Sequence, residues 1–413
     1  MSEYEAIVVG GGPAGSTTAA LLAEHGHRVL LLEREPFPRY HIGESLIPYT
    51  WFTLDRLGVL DWLRQSACPK KYSVQFVSIT GKVSQPFYFF QTIPHECSMT
   101  WQVWRGEFDA MLLENARKKG AEIRQGVTVR DFIMDGDRMV GVRADPGNGA
   151  TEEIFAKAVV DATGRDSMLS RRFDWKDRDG ELNKVAVWSY FKGAKRDPGL
   201  DEGATTVAYV PQKGWFWYIP MHSDIVSVGV VGEPDYLYRD TRDPVAIFNR
   251  ELQACRWIKE HVEIGTQCEP VRVTGEYSYH SRRIGGDGFC LVGDAFAFLD
   301  PLFSTGVFLA LKSGELAADT LHEALLAGDV SAARFDAYYE KQRHAVTSFR
   351  RLVLAFYNLT FSFREFLVEY PELQPLIVDT LVGNVFKDLT PLFTALESYQ
   401  SRPERTLIGE ATA

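Results

Sequence analysis

The residues that could do chemistry begin with a glycine-rich turn near the start of the chain. Gly10, Gly12 and Gly15 form a G-x-G-x-x-G pattern between an apolar stretch, residues 4–9, and a segment with helical character. Such a turn lets a pyrophosphate approach the backbone, and the following helix offers free N–H groups and a positive dipole end. Glu33 follows at about the twenty-residue offset from which a carboxylate can accept from ribose hydroxyls. Because that carboxylate would repel a 2′-phosphate, the pattern predicts a site for FAD or NAD rather than NADP.

Further polar groups follow predicted strands or open a helix. Residues 161–165 read Asp-Ala-Thr-Gly-Arg, Gly293 and Asp294 end another strand, and Arg105 stands just before a helix. In this order they resemble the group A flavin monooxygenase superfamily, whose fold is that of para-hydroxybenzoate hydroxylase. The resemblance covers most of residues 1–330 and implies that the nucleotide is FAD. It also implies that Asp294 contacts the ribityl chain or the pyrophosphate.

An aromatic segment narrows the resemblance. Residues 214–220 read Gly-Trp-Phe-Trp-Tyr-Ile-Pro and contain W-x-W-x-I-P, which resembles the signature of flavin-dependent halogenases. In those enzymes the two tryptophans are thought to separate substrate from flavin and suppress direct hydroxylation, which implies these roles for Trp215 and Trp217. The two-residue period of a strand would place Trp215, Trp217 and Ile219 on one face. The alternative interpretation is an aromatic core strand, and prenyl-reductase flavoproteins carry a similar segment.

A second segment of the halogenases and their near relatives lies after the βαβ unit. Residues 38–46 read Pro-Arg-Tyr-His-Ile-Gly-Glu-Ser-Leu and resemble P-R-x-H-x-G-E-S. This implies that Arg39 and His41 contact FAD and that Glu44 and Ser45 lie near the isoalloxazine. The residues predicted to bind the cofactor are therefore Gly10, Gly12, Pro13, Ala14, Gly15, Glu33, Arg34, Arg39, His41, Glu44, Ser45, Arg105, Val129, Asp294, Gly306 and Val307.

Lys71 is the predicted catalytic lysine, with Trp215 and Trp217 beside the reaction path. It lies in Lys-Lys-Tyr-Ser-Val-Gln-Phe, residues 70–76, which is similar to a family stretch K-x-G-A-x-F but has Ser and Val for the small pair. The resemblance implies that its ammonium hydrogen-bonds hypohalous acid or becomes a chloramine, and burial shifts a lysine pKa readily enough for either role. Lys70 is the alternative catalytic lysine. The interpretation without function is that both lysines are solvated on the protein surface.

The start of a later helix predicts a halide site. Residues 300–307 read Asp-Pro-Leu-Phe-Ser-Thr-Gly-Val and resemble D-P-x-x-S-x-G-V of the family. The resemblance implies that N–H groups of Thr305 and Gly306 bind the halide at the helix start, where the dipole favours an anion, and that N–H groups near Gly306 face the flavin pyrimidine edge. Phe303 stands where tryptophan halogenases carry glutamate. This departure favours phenolic or pyrrolic substrates, free or tethered to a carrier protein.

The resemblance thus predicts an FADH2-dependent halogenase that uses O2 and chloride or bromide. A separate flavin reductase would supply the reduced flavin, because the chain shows a single dinucleotide fingerprint. One alternative is an FAD-dependent hydroxylase or a geranylgeranyl-reductase-like oxidoreductase on the same scaffold. Another is a non-catalytic protein that binds flavin or a carrier protein. The sequence leaves open the substrate, the halide and the oligomeric state.

The elements that must position these residues indicate an α/β fold. Apolar strands at 4–9 and 28–32 flank a helix that runs to about residue 25, which is a βαβ unit. Later elements are a helix at 107–119, strands at 121–133, 138–144, 156–161 and 288–293, and a helix at 306–327. From about 183 to 275 the pattern indicates short strands of a mixed or antiparallel sheet. From residue 331 onward the pattern indicates helices. One apolar stripe there is interpreted as core packing in preference to the lining of a substrate pocket, and its residues are Phe349, Leu352, Val353, Phe356, Leu359 and Phe363.

These elements predict a discontinuous FAD-binding domain of the para-hydroxybenzoate hydroxylase type. It comprises residues 1–72, 100–182 and 276–330. An inserted mixed β-sheet domain on the substrate side comprises residues 73–99 and 183–275. A helical segment, residues 331–413, completes the chain.

Composition excludes several other classes. The 413 residues carry a formal net charge of −10, which argues against a dedicated nucleic-acid binder. The five cysteines show no metal-binding spacing, so no metal site is predicted, and reduced thiols in a cytoplasmic protein are the simplest interpretation. No uncharged helical stretch approaches the ~20 residues that span a bilayer, and membrane contact is not favoured.

Overall fold

The computed structural model describes residues 4–211, 214–275, 278–358 and 361–401. Within these residues the helices are α1 (Pro13–Glu24), α2 (Thr50–Leu57), α3 (Leu60–Gln65), α4 (Arg105–Lys118), α5 (Met168–Arg172), α6 (Pro234–Leu237), α7 (Pro244–Ala254), α8 (Arg256–Val262), α9 (Gly306–Leu326), α10 (Asp336–Tyr357), α11 (Phe363–Glu369), α12 (Gln374–Val382) and α13 (Thr390–Gln400). The strands are β1 (Tyr4–Val9), β2 (Val29–Glu33), β3 (Lys70–Lys71), β4 (Ser73–Val77), β5 (Phe87–Tyr88), β6 (Thr100–Trp101), β7 (Glu122–Gln125), β8 (Thr128–Asp135), β9 (Arg138–Asp145), β10 (Glu152–Asp161), β11 (Lys176–Arg178), β12 (Val185–Lys192), β13 (Thr205–Tyr209), β14 (Trp215–Pro220), β15 (Ile225–Gly232), β16 (Thr266–Gln267), β17 (Arg272–Gly275), β18 (Tyr279–Ser281), β19 (Gly285–Gly286), β20 (Phe289–Leu291) and β21 (Ala297–Phe298).

The first large sheet is mostly parallel and has the order β19-β20-β10-β1-β2-β7. Its central strand β1 pairs in parallel with β10 and β2, and both β1 and β2 are apolar because both faces of the sheet are covered. Val9, Asp161 and Leu291 end adjacent strands in register. The turns that follow these strands therefore meet at one edge of the sheet, where α/β folds bind their ligands. The predicted βαβ unit is confirmed.

A hairpin, β8 and β9, continues this sheet from β10. Its turn joins Asp135 to Arg138, as the Asp-Gly-Asp signal predicts. The single strand predicted over 121–133 is wrong, since Gly126 adopts φ +77° and separates β7 from β8. A positive φ interrupts a regular strand, and glycine accepts it without strain.

Helix α9 packs against α1 and confirms the helix predicted from Gly306. A Cβ on Gly314 would lie 2.5 Å from the Ala14 carbonyl oxygen, so only glycine allows this approach. Thr18 of α1 donates from Oγ1 to the Gly314 carbonyl at 3.2 Å. The close contact holds the two helices together on one face of the sheet.

The second large sheet has the order β16-β12-β15-β14-β13-β4-β5, and most of its pairs are antiparallel. The interpretation of residues 183–275 as short strands is wrong for 234–262, which form α6, α7 and α8. A sequence signal exists there: Asp243 accepts from the Val245 N–H as an N-cap, and Pro244 occupies the first helical position. These helices cover one face of the sheet.

The helices from α10 onward form a further apolar core with α9. Phe349 and Leu352 are fully buried in it, and Phe356 packs against the tryptophan face of the second sheet. These stripe residues therefore pack in the core. Leu359 lies outside the described residues, and α10 ends before Phe363. Within the described ranges, no helix combines the length and apolar character needed to cross a membrane. The domain boundaries predicted above stay a prediction.

Candidate active site

A cavity of about 370 Å³ lies where the carboxyl edge of the first sheet faces the second sheet. Most residues predicted from the sequence meet in its wall, although they come from distant parts of the chain. Those in the wall are Gly10, Gly12, Pro13, Ala14, Glu33, Arg34, Arg39, His41, Glu44, Ser45, Arg105, Val129, Trp215, Trp217, Asp294, Gly306 and Val307. Gly15, Lys71 and Thr305 are not in the wall.

The glycine turn leaves space for a phosphate at the start of α1. Gly10 has φ +108°, and a Cβ there would lie 2.3 Å from the Ala162 carbonyl oxygen. A Cβ on Gly15 would lie 2.0 Å from the Gly10 carbonyl oxygen, so both positions require glycine for packing. At Gly12 the nearest atom to a Cβ would be a flexible Arg39 nitrogen at 3.6 Å. The turn is therefore closed at Gly10 and Gly15 but open toward the cavity at Gly12, which fits a pyrophosphate on the helix N-terminus.

Glu33 ends β2 and supports the turn directly. Its Oε2 accepts from the Gly11 N–H at 2.6 Å and its Oε1 accepts from the Glu35 N–H at 2.9 Å. Arg34, beside it in the wall, forms an ion pair with Asp166. Glu33 thus fixes the backbone of the glycine turn, and its predicted bond to ribose stays a prediction.

The segment of residues 38–45 lies along the cavity and is anchored to α4. Arg105 is buried and donates from Nε to Asp109 Oδ1 at 2.8 Å and from Nη1 to the Ile42 carbonyl at 2.8 Å. Arg39 adds a 3.3 Å contact to Asp109. Removal from water, with Arg105 nearby, lowers the pKa of His41 to about 4, so this imidazole is neutral at pH 7. The segment and α4 therefore present a fixed backbone and two arginines to the cavity, which suits an anionic cofactor.

Asp294 lies in the wall directly after β20. Loss of contact with water raises the pKa of its carboxyl to about 6, although Arg165, Arg105 and Lys176 act in the opposite direction. Tyr279 donates to the Asp294 carbonyl at 2.7 Å and holds the turn in place. A carboxyl in this position can accept from a ligand hydroxyl.

Helix α9 points its N-terminus at the cavity. Ser304 adopts the left-handed conformation with φ +56°, and the helix begins at Gly306 immediately afterwards. Thr305 is 2% exposed, whereas Gly306 and Val307 are in the cavity wall. The backbone N–H groups of this first turn can bind an anion.

The second sheet supplies a wall of indoles. Trp215 and Trp217 of β14 share one face with Ile219, as the strand period predicts, and Trp188 of β12 lies beside them. The Trp215 Nε1 donates to the Tyr357 hydroxyl at 2.8 Å, and the Trp217 Nε1 donates to Ser227 Oγ at 3.0 Å. Each indole is therefore held in one orientation by its own polar tip.

Lys71 is enclosed, and its neighbour Lys70 is exposed. The Lys71 Nζ donates to Ser45 Oγ at 2.8 Å and to the Leu46 carbonyl at 3.1 Å. On another side, the Phe89 ring centroid lies 5.7 Å from Nζ. Among the described residues, no carboxylate forms an ion pair with Lys71, and burial lowers its pKa to about 7. Its amine therefore lies one hydrogen bond behind the cavity wall and can be charged or neutral near pH 7.

Comparison with known proteins agrees with this geometry. Residues 3–351 match the family described as FAD binding domain. The chain is 31% identical to the 1H-pyrrole-2-carbonyl-[peptidyl-carrier protein] chlorinase of Pseudomonas fluorescens, covering 93% of this chain and 90% of the relative. It is 32% identical to the corresponding brominase of Pseudoalteromonas luteoviolacea, over 79% of each chain. The structure of flavin-dependent brominase Bmp2 has 29% identity and a TM-score of 0.87, covering 96% of this chain and 99% of that one. The chain belongs to the flavin-dependent halogenase family.

As a flavin-dependent halogenase, the protein is an FAD-dependent oxidoreductase. The residues of its cavity fit that cofactor: an open turn at Gly12 for the pyrophosphate, an arginine-rich segment, and Asp294 facing the cavity. The predicted α/β fold and the FAD cofactor are confirmed. The individual contacts of each residue with FAD remain predictions.

Several residues in this halogenase site were not predicted from the sequence. Tyr190 of β12 and Tyr357 of α10 lie outside the segments recognised as site motifs and bond to Glu44 and Trp215. Gly229 is another, since a Cβ there would lie 2.3 Å from the Trp217 ring. No local pattern marks these residues, because only the sheet pairing and the packing of α10 bring them to the site.

Phe303 stands at the position where the sequence differs from the glutamate of tryptophan halogenases. Its ring packs edge-on to Phe356 with the ring centroids 6.3 Å apart, so this part of the halogenase is apolar. The nearest acid of the same segment, Asp300, accepts from the Tyr357 hydroxyl at 2.9 Å and from the Leu302 N–H at 3.0 Å. No acid therefore stands at position 303 itself.

Proposed function

We propose that this protein halogenates an electron-rich pyrrole or phenol tethered to a carrier protein, using chloride or bromide, O2 and FADH2 from a separate flavin reductase. The names of two relatives, a pyrrole chlorinase and a pyrrole brominase that act on peptidyl-carrier proteins, support the tethered substrate. The observation that carries the proposal is the enclosed Lys71 amine, one hydrogen bond behind a cavity wall that contains two tryptophans.

Residues of the first sheet and of α4 bind the cofactor in this proposal. The turn at Gly12 and the start of α1 hold the pyrophosphate, Glu33 accepts from ribose, and Asp294 accepts from the ribityl chain. The chemistry that reduced FAD supplies when bound is the activation of O2 for halide oxidation. Thr305 and Gly306 bind the halide through backbone N–H groups, with the α9 dipole opposing its loss.

Lys71 receives the oxidised halide in this proposal. A protonated amine hydrogen-bonds and polarises hypohalous acid, whereas a neutral amine breaks its O–X bond, forms a haloamine and releases water. Because burial places the pKa of Lys71 at about 7, both forms are accessible near neutral pH. Trp215 and Trp217 keep the aromatic substrate from the flavin, and so halide transfer occurs instead of direct hydroxylation.

Two further predictions belong to this proposal. The five cysteines are free thiols, four of them buried, which supports a cytoplasmic location. The predicted domain boundaries assign the cofactor to residues 1–72, 100–182 and 276–330. The substrate would then meet the sheet of residues 73–99 and 183–275 together with the helices of residues 331–413.

The test is the substitution Lys71→Ala, with Lys70→Ala as the matched control. Purified protein is incubated with FAD, a flavin reductase, NADH, each halide, and pyrrolyl or phenolic carrier-protein thioesters, and products are measured by mass spectrometry. We expect halogenated product from the wild type and Lys70→Ala but none from Lys71→Ala, with FAD affinity unchanged in all three. The lysine assignment is wrong if Lys71→Ala retains halogenation. NADH oxidation by the enzyme alone, without halogenated product, would instead support a hydroxylase or reductase.

A further inference from the structure

A continuous chain of hydrogen bonds runs along one side of the cavity. The Trp188 Nε1 donates to the Tyr40 hydroxyl at 2.7 Å. The Tyr40 and Tyr190 hydroxyls lie 3.0 Å apart, and the Tyr190 hydroxyl donates to Glu44 Oε1 at 2.6 Å. The chain therefore connects residues of β12 with a carboxyl in the cavity wall.

The donor-only chemistry of the indole fixes the direction of this chain. An indole N–H can donate but cannot accept, so the Tyr40 oxygen must accept from Trp188. Because Tyr190 uses its single proton for Glu44, Tyr40 must donate its own proton to Tyr190. All the hydroxyl protons point toward Glu44 in this state, and Glu44 accepts as a carboxylate.

The direction reverses when Glu44 is protonated. Glu44 then donates to Tyr190, Tyr190 donates to Tyr40, and the Tyr40 oxygen accepts from both Trp188 and Tyr190. The Tyr40 hydroxyl then donates to neither neighbour in the chain, and its O–H bond must point away from the chain. Tyr40 is 41% exposed and also lines the cavity, whereas Tyr190 and Glu44 are 1% and 2% exposed. The chain therefore runs from an exposed residue of the cavity wall to a buried carboxyl.

The charges around the chain favour proton exchange at Glu44. Burial raises the pKa of the Glu44 carboxyl, while the Tyr190 hydrogen bond and the nearby Arg105 lower it. Arg105 is paired with Asp109, and the Arg272 guanidinium lies 4.0 Å from the Tyr40 ring centroid. Ser45, the residue after Glu44, accepts from Lys71 and connects the carboxyl segment to the proposed halide acceptor.

Halogenation consumes a proton in each turnover. With RH as the aromatic substrate and X⁻ as the halide, the balanced reaction is RH + X⁻ + O2 + FADH2 + H⁺ → RX + FAD + 2 H2O. Two electrons from FADH2 and two from the RH and halide pair reduce O2 to water. The proton must come from solvent and reach the reacting groups in the cavity.

We propose that Tyr40, Tyr190 and Glu44 form a relay that carries this proton from solvent into the cavity. Glu44 loses its proton to an oxygen of the reacting groups. In one concerted shift Tyr190 then reprotonates Glu44, Tyr40 reprotonates Tyr190, and a hydronium ion from solvent reprotonates Tyr40 and leaves as water. In each step one O–H bond breaks and one forms, so no charge accumulates in the wall. The purpose of this relay rests on the proposed function, whereas the hydrogen-bonded chain is present in the structure whatever the function is.

The first experiment measures the chain without turnover. Infrared difference spectra of the protein with oxidised FAD bound, recorded against Glu44→Gln across a pH series, report the protonated carboxyl of Glu44. We expect a carboxylic-acid band in the wild type whose frequency shifts in Tyr190→Phe, because the hydroxyl partner is lost. Tyr236→Phe is the matched control, since it removes a 2.8 Å bond from a tyrosine to the buried Glu251 outside the cavity wall. A band absent at every pH, or unmoved in Tyr190→Phe, would overturn the relay.

The second experiment measures proton delivery in a single turnover. Enzyme preloaded with FADH2, halide and substrate is mixed with O2, and the rate of substrate halogenation is followed in H2O and D2O. We expect Tyr190→Phe and Tyr40→Phe to be slower by roughly 100-fold or more, as for loss of a proton donor, and to be restored by imidazole or formic acid. Tyr236→Phe should match the wild type.

The outcomes separate the relay from the halogenase assignment. A wild type that yields no halogenated product removes the proposed function, whatever the infrared spectra show. A halogenating wild type whose rate is unchanged in Tyr190→Phe and Tyr40→Phe removes the relay alone. Slowing without restoration by small acids would also remove it, because a merely structural defect is not repaired by a diffusible proton donor.

Discussion

The two faces of strand β14 serve different purposes. On one face, Phe216 is fully buried against Phe248, and Tyr218 packs against Trp257 of α8. On the other face, Trp215 and Trp217 line the cavity and each donates its indole N–H to a side-chain hydroxyl. Consecutive residues of one strand therefore belong alternately to an apolar core and to the proposed reaction chamber.

The comparison of the two faces shows how an aromatic wall can be rigid while it borders a cavity. On the core face, shape and apolar contact with α7 and α8 fix the side chains. On the cavity face, both rings border the cavity, and a hydrogen bond from each indole N–H adds to packing in fixing the ring orientation. Such an arrangement keeps space for a ligand while the wall stays in place.

The largest expected effect comes from breaking the core face. Phe216→Ala should lower the free energy of unfolding by about 3–5 kcal/mol, because it removes a fully buried ring and leaves a cavity between the sheet and α7. Urea denaturation followed by circular dichroism measures this loss. A loss below about 1 kcal/mol would mean that this face does not hold the sheet to its helices. FAD affinity of the folded fraction should be unchanged.

The sequence predicts the cofactor half of the molecule well because its signals are local. The glycine turn, Glu33 and the segment at 38–46 each need only neighbouring residues to be recognised, and the structure brings them to one wall. The helix from Gly306 is marked by its own apolar period. Strand alternation is also local, and it correctly places Trp215, Trp217 and Ile219 on one face.

The polar partners of the wall could not be predicted, since they depend on long-range packing. Tyr357 reaches Trp215 from the end of α10, 142 residues away in the chain, and Tyr190 reaches Glu44 across 146 residues. A tyrosine in a helix or strand pattern is ordinarily core. Helices α6 to α8 were missed for another reason, namely that their aromatic and β-branched residues also suit strands.

A smaller effect is expected from the polar support behind the tryptophan face. Asp300 is 1% exposed, and burial raises its pKa to about 6. Because the native carboxyl holds its proton more tightly than the unfolded one, its stabilising contribution is full below about pH 4 and is lost as pH rises through about 6. Asp300→Asn keeps the acceptor for Tyr357 but cannot ionise. Between pH 4 and pH 7 the wild type should therefore lose roughly 2–3 kcal/mol more unfolding free energy than this variant.

Denaturation curves at both pH values, with Asp319→Asn as a control, test this expectation. Asp319 is a half-buried carboxylate of α9 that pairs with Arg56, so its substitution controls for the loss of a carboxyl away from the tryptophan face. Equal pH slopes in the wild type and Asp300→Asn would mean that Asp300 is solvated or paired more strongly than its contacts indicate.

The smallest expected effect comes from the cavity face itself. Trp217→Phe keeps an aromatic ring but loses the 3.0 Å bond to Ser227, so the free energy of unfolding should fall by only about 0.5–1.5 kcal/mol. Ser227→Ala should cost a similar amount, and the double variant should cost less than the sum, because both single changes remove the same bond. Denaturation of the four proteins gives the coupling. If Trp217→Phe and Phe216→Ala lowered the free energy of unfolding equally, both faces of β14 would be apolar core. In that case the two indoles would serve packing and would not line a cavity kept open for chemistry.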